Sequence, residues 1–184
     1  MNYKLSDEEF KSKLKELSEE QFRLLLIQLF EKLGFHEVDH HHGVTEFGKD
    51  VVFYEEDKFM NKVWYACVVK SGDINQSELG IVHRQVRESF KSKYPSTTYG
   101  RVNIDKVIVI CSGVFKGNSK ILIADELDDA EKSKVLFWPQ TMVVKYLIEQ
   151  DLTTLLVEKN QNILLSKYNE QMLTNVLQNK SLKF

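Results

Sequence analysis

The sequence predicts an α/β fold, a mixed central β-sheet flanked by helices, with a helical N-terminus and a helical C-terminal tail. Two observations carry this. Capped segments with an apolar stripe at helical period alternate with short β-branched and aromatic runs. One of those runs, Lys106 to Cys111, is apolar almost throughout, as a central strand covered on both faces should be. With 184 residues the chain suits one domain with a proper core, placed at 1–150, followed by an amphipathic tail at 151–184 that packs on the domain or serves assembly.

Two helix starts are written near the N-terminus. Ser6-Asp7-Glu8-Glu9 has capping-box form, and Ser18-Glu19-Glu20-Gln21 repeats it. Beyond the second, Phe22, Leu25, Leu26, Leu29, Phe30 and Leu33 fall on one helical stripe, and Gly34 stands where a C′ glycine ends a helix. Helices are therefore expected near 6–16 and 19–33. Val51 to Tyr54 and Val63 to Val69 read as the arms of a hairpin joined by the acidic turn Glu55 to Lys58. A helix at about 76–93 follows, with Leu79, Val82, Val86 and Phe90 inward and Arg84, Arg87 and Lys91 outward. The strand from Lys106, a helix near 119–131, a strand at Val135 to Trp138 and a helix from Thr141 to Glu149 complete the alternation.

Composition narrows the function. Hydrophobic residues make up 42% and charged residues 28%, which excludes a disordered chain. No apolar run approaches the ~20 residues that cross a bilayer, so no membrane partner is expected. Without an apolar leader at the N-terminus the expected location is cytoplasmic. Cys67 and Cys111 lie far apart within strand-like runs and read as buried, reduced thiols rather than metal ligands. The net charge of −2 does not suit a protein that coats itself with nucleic acid, so any such binding must rest on a local basic cluster. Gly113 to Asn118 lacks the pattern of a phosphate-binding P-loop.

The chemistry is concentrated between Gly43 and Lys70. Asp50 opens one arm of the hairpin and Lys70 closes the other, so pairing sets both charges at one end of the sheet. A carboxylate beside a lysine on adjacent strands suits phosphodiester hydrolysis, in which the carboxylate holds Mg2+ and the lysine steadies developing negative charge. An ordinary ion pair at a sheet edge is the simpler account of the same spacing. Asp39 precedes His40, His41 and His42, whose alternating directions on an extended chain keep them from serving one site together; a solvated loop is expected there.

Leu33-Gly34-Phe35 at a helix end, Glu46-x-Gly48-Lys49-Asp50, a strand ending Val68-Val69-Lys70, and Arg84-Gln85-Val86-Arg87 on the next helix come in a recognisable order. With the later Lys106 to Gly113 strand and the Phe137-Trp138 strand, the pattern over residues 18–150 resembles the Mrr-like branch of the PD-(D/E)xK nucleases. The resemblance implies a restriction-endonuclease-like core and a Mg2+-dependent DNA endonuclease, with Mn2+ as an alternative ion and bacterial defence against foreign DNA as the setting. It implies that Asp50 binds the metal, that Lys70 is the motif lysine, that Glu46 is an auxiliary acid, and that the Val69 backbone carbonyl joins the ligands. Arg84, Arg87, Lys91 and Lys49 are then the residues expected to meet the DNA backbone, with Lys93, Lys116 and Lys120 able to widen the patch.

Two positions depart from the family pattern. Val68 stands where the family has Glu or Gln, and Arg23 stands where related domains often carry a helix-borne glutamate. These departures keep open a second account: a nuclease fold without chemistry that acts as a DNA-binding or assembly subunit of a defence complex. The tail likewise leaves open a homo-oligomer or a larger complex.

Overall fold

The computed structural model describes residues 6–40 and 48–156. The expectations for Glu46, His41 and His42, and for the tail beyond residue 156, lie outside the described residues. Helix α1 (Asp7–Glu16) and helix α2 (Glu19–Lys32) both start on the expected boxes, with Ser6 and Ser18 each capping the N3 amide while Glu9 and Gln21 reach back. Gly34 follows α2 with φ of 85°, the left-handed turn that ends a helix without a Cβ penalty.

A five-stranded mixed sheet runs in the order β1-β2-β3-β6-β7. It comprises β1 (His36–His40), β2 (Val51–Glu56), β3 (Lys62–Lys70), β6 (Lys106–Cys111) and β7 (Val135–Trp138). Strands β1, β2 and β3 are antiparallel neighbours, whereas β3–β6 and β6–β7 are parallel. The crossover between β3 and β6 carries α3 (Leu79–Lys91) and a small hairpin of β4 (Tyr94–Ser96) and β5 (Gly100–Val102). That between β6 and β7 carries α4 (Ser119–Asp125) and α5 (Asp129–Lys132); α6 (Gln140–Glu149) and a 3-10 turn at Thr153–Leu156 follow.

Alternation along the strands divides the core into two layers. Val51, Phe53, Tyr65, Cys67, Val69, Ile108 and Ile110 pack with the apolar faces of α1, α2 and α6. Val52, Trp64, Ala66, Val68, Val107 and Val109 pack with Val82 and Val86 of α3 and Ile123 of α4. Both cysteines are buried and unpaired, as the sequence led one to expect.

Three elements differ from expectation. His40 ends a strand, β1, rather than opening a loop, because an edge strand needs only backbone pairing on one side and no apolar alternation. The register slips between His36 and Asp39, where Glu37 takes φ of 48°. The helix expected at 119–131 is broken in two by a fresh N-cap, Asp128, whose carboxylate accepts from the Glu131 amide. The β4–β5 hairpin has three residues per strand, too short for a period to show.

Candidate active site at the end of strand β3

Pairing of β2 with β3 sets Val51 opposite Cys67, and the Asp50 amide donates to the Cys67 carbonyl at 2.8 Å, so Asp50 continues the ladder beside Val69 and Lys70. The hairpin thus gathers the expected carboxylate and lysine at one end of the sheet. Three anchors hold the segment leading into Asp50. Gly48 takes φ of 78° and lies so close to α3 that a Cβ there would sit 2.2 Å from the Gln85 carbonyl oxygen. Ser89 Oγ donates to the Gly48 carbonyl at 3.0 Å. The Lys49 ammonium donates to Ser92 Oγ.

Asp50 is 1% exposed. Its Oδ2 accepts from the Val69 amide at 2.6 Å, and its Oδ1 lies 3.0 Å from Arg23 Nη2. Burial raises its carboxyl from the ordinary 3.8 to about 6, outweighing Arg23, the Val69 amide and Lys70, which pull the other way.

Arg23 is the organiser of the site. Its Nη2 also meets Glu19 Oε1 at 2.5 Å, and its Nη1 lies 3.5 Å from Glu20 Oε2. Glu19 turns its second oxygen to Lys70 Nζ at 3.7 Å. By sequence Glu19 and Glu20 belong to a helix cap, and Arg23 stands where related domains often carry a helix-borne glutamate. The structure places a helix-borne carboxylate, Glu19, one turn earlier, between Arg23 and Lys70. The cap placed it on the first turn of α2, where the helix dipole favours carboxylates. What no local pattern reveals is that this turn abuts the end of β3, where Ser71 Oγ donates to the Leu17 carbonyl at 2.6 Å.

A divalent ion wants oxygen ligands, and the fit of this site to one can be judged from its donors. Asp50 has one oxygen on the Val69 amide and the other on Arg23, and Glu19 divides its oxygens between Arg23 and Lys70. Val68 is fully buried in the α3 layer and offers no side-chain oxygen. Among the described residues no group of three His, Cys, Asp or Glu side chains is arranged to hold a metal. As arranged, the donor set fits a guanidinium and not a divalent ion.

The residues expected to meet DNA fall in different places. Arg84, Arg87 and Lys91 lie exposed on α3, as the stripe predicts. That helix covers the sheet face opposite to α2, so they form a surface on the layer away from Arg23. Lys49 is 2% exposed. Burial lowers its ammonium to about 8, with Glu88 opposing, and the side chain runs inward to Ser92. The motif glycine explains the difference: Gly48 presses the chain onto α3, and Lys49 has to run inward along Ser92. Nearer Lys70, Asp73 joins Lys15 of α1 and Lys116 of the loop after β6, each at 2.9 Å. These two lysines hold the Asp73 carboxyl down at about 2.

A family model described as a restriction endonuclease, Mrr_cat, matches residues 14–126, more than half of the chain. The chain belongs to the Mrr_cat restriction endonuclease family. The Mrr_cat match spans α2, the Asp50–Lys70 hairpin, α3 and β6. Among solved structures, the DNA modification-dependent restriction endonuclease AspBHI superposes with a TM-score of 0.54 at 10% identity, over 88% of this chain and 40% of that one. The restriction endonuclease FokI, free and bound to DNA, gives 0.47 and 0.45 at 19% and 17% identity, each over 80% of this chain and 31% of FokI. The AspBHI likeness supports the restriction-endonuclease-like fold and nothing finer. The chain spans less than half the length of these structural relatives. No curated protein matches it in sequence.

Proposed function

We propose that this Mrr_cat domain is a DNA endonuclease that hydrolyses backbone phosphodiesters at the end of the sheet where Asp50 and Lys70 meet, in defence against foreign DNA. The observation that carries the reading is the convergence of Asp50, Lys70 and Glu19 on one strand end in a chain of this family. Lys70 supplies positive charge where a phosphate would sit. Asp50 and Glu19 are the carboxylates this chain has at that point, and Glu46 is kept as an auxiliary acid. The Val69 backbone carbonyl belongs to the same proposal. Mg2+, or Mn2+ in its place, is the cofactor the reading calls for, and it would bind only once Arg23 leaves Asp50 and Glu19. The exposed Arg84, Arg87 and Lys91 are the proposed phosphate contacts of α3, whose attraction to DNA would be salt-dependent and blind to sequence. A homo-oligomer or a larger defence complex is the proposed assembly.

The test is cleavage of supercoiled plasmid and linear duplex in Mg2+, Mn2+ or EDTA, with Asp50→Ala and Lys70→Ala as controls. The reading expects metal-dependent cutting that both variants lose. Cutting that survives Asp50→Ala would place the chemistry elsewhere.

A second account is favoured by the Arg23–Asp50 pair together with the apolar Val68. In it the domain binds DNA or partners without cutting. DNA binding that persists in EDTA, with no cleavage in any metal, is the result that would select it.

A further inference from the structure

We infer that Arg23 is the resident cation of this acidic centre: its guanidinium takes the place of a divalent ion at Asp50 and keeps such an ion out. Three carboxylates face it, Glu19 at 2.5 Å, Asp50 at 3.0 Å and Glu20 at 3.5 Å, two from the first turn of α2 and one from the residue just before β2. The Arg23 side chain is 12% exposed and that of Asp50 2%, so the pair lies in a weakly screened setting. A guanidinium stays charged at every accessible pH and presents a planar fork, which lets one nitrogen bridge Glu19 and Asp50.

The exclusion has a geometric and an electrostatic part. An ion bound to Asp50 Oδ1 would lie within a few ångströms of Nη2, which is already 3.0 Å from that oxygen. Two cations would then share one carboxylate. Charge counting agrees: Glu19, Glu20 and Asp50 face Arg23 and Lys70, so the resident side chains leave one net negative charge for an incoming ion of charge two. Without Arg23 the same carboxylates would face Lys70 alone. Arg23 is also imperfectly satisfied, since its Nε is buried with no hydrogen-bond partner among the described residues. A buried donor left unpaired is uncommon, and here it marks a side chain held by its charge rather than by a complete set of hydrogen bonds.

The inference concerns the domain free of DNA, and a divalent ion could serve the cleavage proposed above only after Arg23 leaves Asp50. It is tested on the whole chain with Mn2+ alone, titrated by electron paramagnetic resonance, which reads bound against free ion without a cleavage assay. Wild type and Asp50→Asn are expected to bind Mn2+ equally weakly. Arg23→Gln, which removes the charge and leaves a shorter polar side chain, is expected to bind at least tenfold more tightly. Arg23→Lys keeps the charge and is expected not to gain. Adding Asp50→Asn to Arg23→Gln should cancel the gain. If wild type holds one Mn2+ that Asp50→Asn loses, the inference is overturned, and that comparison does not depend on how Arg23→Gln folds. A folded Arg23→Gln that gains nothing would overturn it equally. Cleavage assayed on the same samples fails or succeeds separately, so the loss of the nuclease reading and the loss of this inference are distinguishable.

Discussion

Replacing Asp50 by Asn should change how stability depends on pH, by an amount the burial of this carboxyl sets. In the folded chain the Asp50 carboxyl is raised from 3.8 to about 6. Below pH ~4 it is protonated in both the folded and unfolded states and contributes no pH dependence. Between pH ~4 and ~6 the unfolded chain releases its proton while the folded chain keeps it, so the folded state binds more protons and stability falls as pH rises. Above pH ~7 the loss is nearly complete. At about 1.4 kcal/mol per pH unit, the interval corresponds to about 3 kcal/mol. Asn cannot ionise, and its amide oxygen can still accept from the Val69 amide. Other titrating groups are shared by the two proteins and cancel in the difference. Urea unfolding of both at half-unit steps from pH 4 to 7.5 is the assay. The variant should gain about 2.5 kcal/mol on wild type between pH 4 and 7, whatever the constant offset from its altered contact with Arg23. Parallel curves would refute the argument, since they would mean that burial and the Arg23 charge offset each other and leave Asp50 titrating as it does unfolded.

Gly48→Ala is expected to cost about 2–4 kcal/mol in the same unfolding assay, because the new Cβ meets the α3 backbone in a left-handed conformation. Val68→Glu restores the family's acidic position in sequence only. Its carboxylate would enter the fully buried layer of Val82 and Val86, and a loss on the order of 4 kcal/mol with no new cleavage is expected from thermal melts and plasmid assays. Replacing Arg84, Arg87 and Lys91 together by Ala should weaken DNA binding uniformly across sequences and flatten its salt dependence by roughly 2–3 in log–log slope, measured by fluorescence anisotropy. An unchanged slope would remove α3 from the DNA surface.

Much of the fold is legible in the sequence because its signals are local. The two capping boxes start α1 and α2 where Ser6 and Ser18 stand, and the stripe from Phe22 to Leu33 finds its buried face. The hairpin arms were legible from their β-branched and aromatic content, and their pairing alone brings Asp50 beside Lys70. The edge strand β1 was not, since backbone hydrogen bonds to β2 form it and its side chains carry little pattern.

The composition of the site divides along the same line. Sequence determined that Asp50 and Lys70 share an end of the sheet, because hairpin register follows from neighbours along the chain. Only the tertiary structure decided what surrounds them. Glu19 and Arg23 read locally as a helix cap and a polar helix face, yet the corner at Leu17 and Ser71 brings that turn of α2 against β3 and makes them partners of Lys70 and Asp50. Lys49 reads as an exposed charge, yet the close approach of Gly48 to α3 turns it inward to Ser92. Local sequence encodes the period and the caps. The direction of a charged side chain depends instead on which element packs against it, and that contact joins residues distant along the chain.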